Sequence, residues 1–307
     1  MTPHSSLSTT PPDTWPGLAI TAKLASVTLF VIVSSFVAAL DMLPTGQIIF
    51  FRSALAIPVI VIWIATRGGF PGALYTRHPL GHLWRGLIGT GAMACTFIAL
   101  ARLPLAEVTL LTYLAPMLVV LLAVPVLGEP LRAGVAIGVL TGFLGVLIAL
   151  SPRLGGLGGT DTATLIGIAA GFLAAFGAAV VQLLIRIMAR TENIAAIVFW
   201  FSVTSMMAGL LTLPWGWVWP DRGQAILLIG AGLLGGMAQM LMTTAYRLAK
   251  ASTVSPFDYW AVVVALILGA VVFGERPALA TLIGALIVIC AGITVLLHET
   301  GRWRRKE

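Results

Sequence analysis

A stretch of about twenty mostly apolar residues, the length a helix needs to cross a bilayer, recurs ten times along this chain. The stretches fall roughly at 17–40, 46–66, 82–101, 105–127, 131–150, 162–186, 194–214, 224–246, 251–273 and 277–297. An aqueous domain has no means of hiding so much apolar surface: 59% of the residues are hydrophobic, 9% are charged, and mean hydropathy is +1.03. Composition therefore excludes a soluble fold of this length. The stretches are rich in Ala, Leu, Val and Gly and lack the strict alternation of a membrane barrel. The expected fold class is an all-α integral membrane bundle of ten transmembrane helices.

Two segments align without a gap. LARLPLAEVTLLTYLAPMLVVLLAVPVLGEP, from Leu100 to Pro130, lies over YRLAKASTVSPFDYWAVVVALILGAVVFGER, from Tyr246 to Arg276, at an offset of 146 residues. Tyr113 then falls on Tyr259, Gly128-Glu129 on Gly274-Glu275, and Gly138 on Gly284. Such matches are harder to obtain by chance than apolar ones, so the chain reads as duplicated. The offset spans five helices, an odd number, so the second copy enters the membrane from the opposite face. Two inverted five-helix repeats place a substrate site near the midplane, between the copies, and suit alternating access. The expected organisation is a disordered tail over 1–16, a first repeat over 17–150, a second over 162–297 and a basic tail over 298–307.

The first 16 residues hold neither Lys nor Arg, unlike the basic start of a secretory signal. Twelve loop-region Lys and Arg fall on one side of the ten helices and four on the other. The positive-inside rule then sets both termini in the cytoplasm. The net charge of +7 is a topology signal, and the RWRRKE end reads as a contact for anionic lipid, with no nucleic acid as partner. Cys95 and Cys290 lie alone inside expected helices. His78 and His82 have i, i+4 spacing but flank Pro79, which argues for a solvated loop over a metal site. No phosphate-binding loop or nucleophile elbow is present. Neither cofactor nor metal is expected. A membrane-embedded enzyme, the reading from another class, would need paired catalytic groups near one interface, whereas the acid and base groups here are scattered in depth.

Asp258 is the most informative residue, about seven positions or 10 Å of rise inside the ninth helix. A charge near the bilayer centre costs on the order of 3 kcal/mol, so Asp258 must face protein or a cavity. Three roles stay open: binding a cationic group of a substrate, carrying the proton that couples transport, or tying helices together. In the first two roles, Asp258→Asn is expected to abolish flux and leave folding intact. Tyr259 and Trp260 follow it, and the repeat sets Asp258-Tyr259 opposite Thr112-Tyr113 across the midplane. Gln182 and Gln239 lie at similar depth as further ligand contacts or as interhelical ties. Arg52, about seven residues from the outer end of the second helix, is expected to pair with Asp41 or Glu107, or with a substrate carboxylate. Glu107 stands near the outer end of the fourth helix as a gate residue. Lys23 and Arg85 are expected to snorkel to the cytoplasmic face, and Trp215, Trp217 and Trp219 to form an outer interfacial belt. Gly134, Gly138 and Gly142 line one face of the fifth helix, with Ala280, Gly284 and Gly292 a looser set on the tenth; a packing stripe is the first reading and a homodimer face the second. Pro116, Pro125 and Pro256 predict kinks.

The run from Leu103 to Glu129, with Pro116 in mid-helix, Gly128-Glu129 at its end, then Arg132 and Gly138, resembles the EamA repeat of the drug/metabolite transporter superfamily. Arg52 in IIFFRSALAI matches a basic residue that the family often carries in its second helix. The second copy differs, with Val262 at the place of Pro116 and Val198 at the place of Arg52. The first half is similar to uptake carriers for S-adenosylmethionine and riboflavin, and also to amino-acid and metabolite exporters. The resemblance implies a secondary transporter of the inner membrane that moves a small polar metabolite, with an exporter of amino acids as the alternative. It also implies a central cavity lined by helices one, three, four, six, eight and nine, with five and ten as support.

Overall fold

The computed structural model describes residues 16–66, 72–127, 133–154, 161–188, 191–248 and 254–304. The expected N-terminal tail, apart from Pro16, and Gly128, Glu129 and Arg132 lie outside the described residues. The helices are α1 (Pro16–Ala38), α2 (Thr45–Ala65), α3 (Pro79–Leu100), α4 (Leu105–Thr112), α5 (Leu114–Leu127) and α6 (Ala133–Leu154), then α7 (Thr162–Met188), α8 (Ile194–Leu211), α9 (Arg222–Leu248), α10 (Trp260–Val272) and α11 (Leu279–Arg304). No strand occurs among the described residues. Seven spans are long and apolar enough to cross a membrane, one of them α4 and α5 together, and three shorter apolar helices follow the same pattern. Leu140, Leu144 and Leu147 on α6 are more than half exposed, a face suited to lipid and to nothing aqueous. Helix α11 runs on through Arg304, so part of the expected basic tail continues the last helix; nothing before Gly301 breaks it.

The expected fourth and ninth helices are both interrupted, at matching places. Tyr113 separates α4 from α5. Pro116 has no N–H to give to the carbonyl of Thr112, so the ladder loses a rung there. In the second copy Pro256 lies in a 3-10 turn, Ser255–Tyr259, that leads into α10. Discontinuous helices at membrane depth expose backbone groups only where protein or a cavity satisfies them.

Packing follows the inverted symmetry. Helix α1 lies on α9 as its counterpart α7 lies on α3, and α2 lies on α9 as α8 lies on α3. Helices α2 and α8 meet each other, and so do α6 and α11. The leading partners thus come from the opposite repeat, and the two halves interlock. Small residues permit the closest of these contacts. Gly138 and Gly142 take the side chains of Val295 and Met117, and Gly145 lies under Ile287 and Val288. A Cβ on Gly284 would sit 2.5 Å from the backbone nitrogen of Ala149. Gly138, Gly142 and Gly284 are thus filled by contacts inside the molecule.

Candidate functional site

A cavity of about 160 Å³ lies among α1, α3, α4, α9 and the start of α10. These are helices one, three, four, eight and nine of the ten spans, and helices five and six contribute none of its lining residues. Asp258 is among its lining residues, and one of its carboxylate oxygens lies 2.7 Å from Nζ of Lys23. The Lys23 side chain is 1% exposed and that of Asp258 33%. Lys23 therefore does not snorkel to the membrane face. Seven residues into α1 it stands at the depth of Asp258, and pairing with that acid satisfies it better than a stretched, half-solvated conformation.

The two tyrosines related by the repeat stack on one another, with ring centroids 5.0 Å apart and planes 23° apart. Their hydroxyls take different partners: that of Tyr113 donates to the backbone carbonyl of Asp258, whereas that of Tyr259 packs where Gly292 has no side chain. Four more hydroxyls line the cavity: Ser34, Thr96, Thr109 and Thr112. Each donates its proton to a carbonyl of its own helix: Ser34 to Phe30, Thr96 to Ala92, Thr109 to Leu105 and Thr112 to Thr109. A hydroxyl so engaged keeps its lone pairs and has no proton left to offer.

At the opposite face, carboxylates of one segment tend the helix ends of another. Gly274 takes a left-handed φ of 64°, which ends α10 and lets the N–H of Glu275 reach the carbonyl of Gly269. The side chain of Glu275 then accepts the N–H of Leu105 at 3.1 Å, at the first turn of α4. This is a physical role for the Gly-Glu pair of the repeat: the glycine permits the turn and the acid caps a helix from the other half. Glu107 meets Nε of Arg153 at 3.2 Å.

On the face where α1 begins, Glu192 does similar work. It accepts backbone N–H groups of Arg77 and His78 at 2.8 and 3.1 Å, ahead of α3, and lies 3.2 Å from Nε2 of His82. His82 is buried, not a solvated loop residue, because Pro79 opens α3 instead of preventing it. Burial pushes the Glu192 carboxyl up, but the N–H donors of Arg77 and His78, with His82 and Thr76, outweigh it and hold it below its ordinary value. A carboxyl depressed in the fold adds stability that is present above the ordinary carboxylate range and lost as pH falls through the lower folded value. Glu192→Gln is therefore expected to lower the thermal midpoint at neutral pH and to converge with the parent protein in acid, as followed by unfolding scans across pH.

Arg85 is buried as well, with its guanidinium carbon 3.9 Å from the ring centre of Phe201. It does not snorkel; the α3 face that carries it packs on α8. Its Nε and Nη1 have no hydrogen-bond partner among the described residues. Arg52 pairs with neither Asp41 nor Glu107, since Arg153 takes Glu107 and Nη1 of Arg52 lies 2.8 Å from the Met93 sulfur. Gln182 is exposed on the outer surface of α7, and Gln239 is half-buried and away from the cavity wall. Trp260 donates Nε1 to Thr28 at 3.1 Å and is 41% exposed. Of the expected aromatic belt, Trp215 and Trp219 are exposed, while Trp217 packs on Phe50.

Of the candidate residues, then, the structure brings Asp258, Tyr113 and Thr112 to one cavity, with Tyr259 stacked beside it. It leaves Trp260, Gln182, Gln239, Arg52 and Glu107 outside. The sequence reading missed Lys23, Ser34, Thr96 and Thr109. Equal depth of Lys23 and Asp258 in their helices was a usable signal for the first of these.

The pattern of the EamA-like transporter family matches residues 14–151 and 165–297. The S-adenosylmethionine uptake transporter of Rickettsia prowazekii is 24% identical, over 81% of this chain and 81% of its own. The pseudopaline exporter CntI of Pseudomonas aeruginosa is 27% identical, over 91% and 96%. The riboflavin transporter of Rhizobium johnstonii is 28% identical, over 76% and 75%. A crystal structure with 22% identity superposes with a TM-score of 0.66 and covers 90% of this chain and 96% of that one, a likeness of fold. The chain belongs to the EamA-like transporter family.

Proposed function

We propose, from that membership, that the chain is a secondary carrier of the cytoplasmic membrane, with both termini inside, moving a small polar metabolite by alternating access. The observation that carries this reading is the buried Lys23–Asp258 pair on a cavity next to tyrosines related by the repeat. An ion pair at membrane depth is costly to keep and marks a solute or ion path more often than a structural tie. In this reading the pair and the Tyr113 contact act as the closure on the face where α1 begins. Inverted symmetry supplies the mirror closure, the Tyr259 hydroxyl on the carbonyl of Thr112, for the state in which the bundles rock the other way.

The test is flux into proteoliposomes of labelled amino acids, S-adenosylmethionine and riboflavin, with and without an imposed pH gradient. Uptake of one solute that collapses with the gradient assigns proton coupling. Uptake that ignores the gradient assigns facilitated exchange. The side on which solute accumulates gives the direction, since the relatives include both an uptake transporter and an exporter. No flux of any solute by well-folded protein overturns the carrier reading.

A further inference from the structure

We infer that the contact between α2 and α8 is a fixed hinge, pinned at both of its ends by Gln47 and Glu192, so that the bundles that rock are drawn from both repeats and neither repeat moves as one body; the inference rests on the carrier reading above. Helices α2 and α8 are counterparts in the duplication and finish alike. Thr66 and Thr212, one repeat apart (212 − 66 = 146), each donate a hydroxyl proton to the carbonyl three residues back, of Trp63 and of Gly209.

Where α2 begins, it binds the loop that leaves α8. The Gln47 side chain is buried and takes both backbone groups of Val218: Nε2 donates to the carbonyl at 2.7 Å and Oε1 accepts the N–H at 3.1 Å. The ring of Trp217 in the same loop lies against Phe50 and Phe51, with centroids 5.2 and 6.1 Å away. A Cβ on Gly209 would sit 2.7 Å from the Phe50 nitrogen, so the helices meet backbone to backbone. Where α8 begins, at the other face, it binds the loop that leaves α2. Glu192, just ahead of α8, accepts the N–H groups of Arg77 and His78, and Trp200 donates Nε1 to the Leu74 carbonyl at 3.1 Å. Each helix thus holds the loop that follows its counterpart.

If each repeat moved as one body, α2 and α8 would part at one face in one state and at the other face in the next. Either parting leaves a buried amide or carboxylate without its partners. The Lys23–Asp258 pair is of another kind, because Ala169 and Thr112 stand at the corresponding places of the other copies. A contact made at one face only can alternate with its absence. A contact between counterpart helices maps onto itself when the inward and outward states exchange, so it can persist in both. Helices α6 and α11, in close approach at Gly145 and Gly284, are a second such pair. The parts left to swing are α1 with α9 and α3 with α7, and α1, α3 and α9 line the cavity.

The experiment locks the hinge. In a Cys95→Ala/Cys290→Ala background, Gly46→Cys/Thr212→Cys sets two thiols across it. The Cβ positions are 2.7 Å apart, and reaching the roughly 3.5–4.5 Å of a disulfide takes a shift of about 1 Å without opening the contact. Oxidised and reduced protein are compared for flux of the transported member of the panel above. The expected change is less than about twofold, the smallest that one broken hydrogen bond would produce. Flux lost on oxidation and restored by reductant overturns the inference and leaves the carrier reading intact. Because the double variant can fail to fold, hydrogen exchange of the parent protein is the second arm. Peptides that contain Val218, and those that contain Arg77 and His78, are expected to keep the same protection with and without that solute. Loss of protection in either loop on adding solute overturns the inference alone. No flux of any solute in the panel overturns both.

Discussion

Asp258→Asn is expected to lower flux about 100-fold, the effect of truncating one member of a buried, hydrogen-bonded charge pair, and also to destabilise the protein. An Asp258 facing only a cavity would tolerate the change, because Asn keeps its shape and sheds an expensive charge. Here the charge belongs to a pair: Nζ of Lys23 is 2.7 Å away on a side chain 1% exposed. Removing the acid strands an ammonium in low dielectric, a loss of about 3–5 kcal/mol where such pairs have been broken. The ion pair thus adds an expected loss of stability to the expected loss of flux. Lys23→Met should be nearly as damaging, and the neutral double variant should recover stability without recovering transport. Flux is measured per folded protein, judged by a monodisperse elution profile. Wild-type flux in Asp258→Asn would remove this residue from both solute binding and coupling.

Gly284→Ala is the second large effect, and it falls on stability. The added Cβ meets two backbone atoms, the carbonyl oxygen of Gly145 and the nitrogen of Ala149 at 2.5 Å, and the Ala149 Cβ, which cannot rotate away. Backbone atoms of a packed helix do not turn aside as a flexible side chain does, so α6 and α11 must separate along their length. Overpacking of this sort costs about 1–3 kcal/mol. A thermal scan in detergent should show a clear drop in midpoint. Gly91→Ala is the control, since a Cβ there has nothing within 4 Å and improves helix propensity. A Gly284→Ala protein as stable as Gly91→Ala would mean that α6 and α11 do not depend on this close approach.

The Gly-Glu pair shows how motif and role can be legible to different degrees. Its recurrence at an offset of 146 residues identified the duplication, yet nothing in the chain said that Glu275 would cap α4. Arg52 and Glu107 were legible as polar groups inside helices but not in partnership: Arg153, half-exposed at the end of α6, takes the acid. Gln182 is exposed on α7, away from the cavity that Asp258 lines. A helix turns about 100° per residue, so a small error in phase moves a side chain from cavity to lipid.

The sequence alone determined the ten-helix pattern and the duplicated five-helix repeat. Those features depend on the length of apolar runs, at a rise of about 1.5 Å per residue, and on a register that repeats. Only the tertiary structure decided which polar groups meet. Lys23 and Asp258 are 235 residues apart in the chain (258 − 23) and adjacent in space because α1 packs on α10 and α9 of the other repeat. In lipid all apolar faces are nearly equivalent, so hydropathy does not choose neighbours; close backbone approach at small residues and the matching of buried polar groups do.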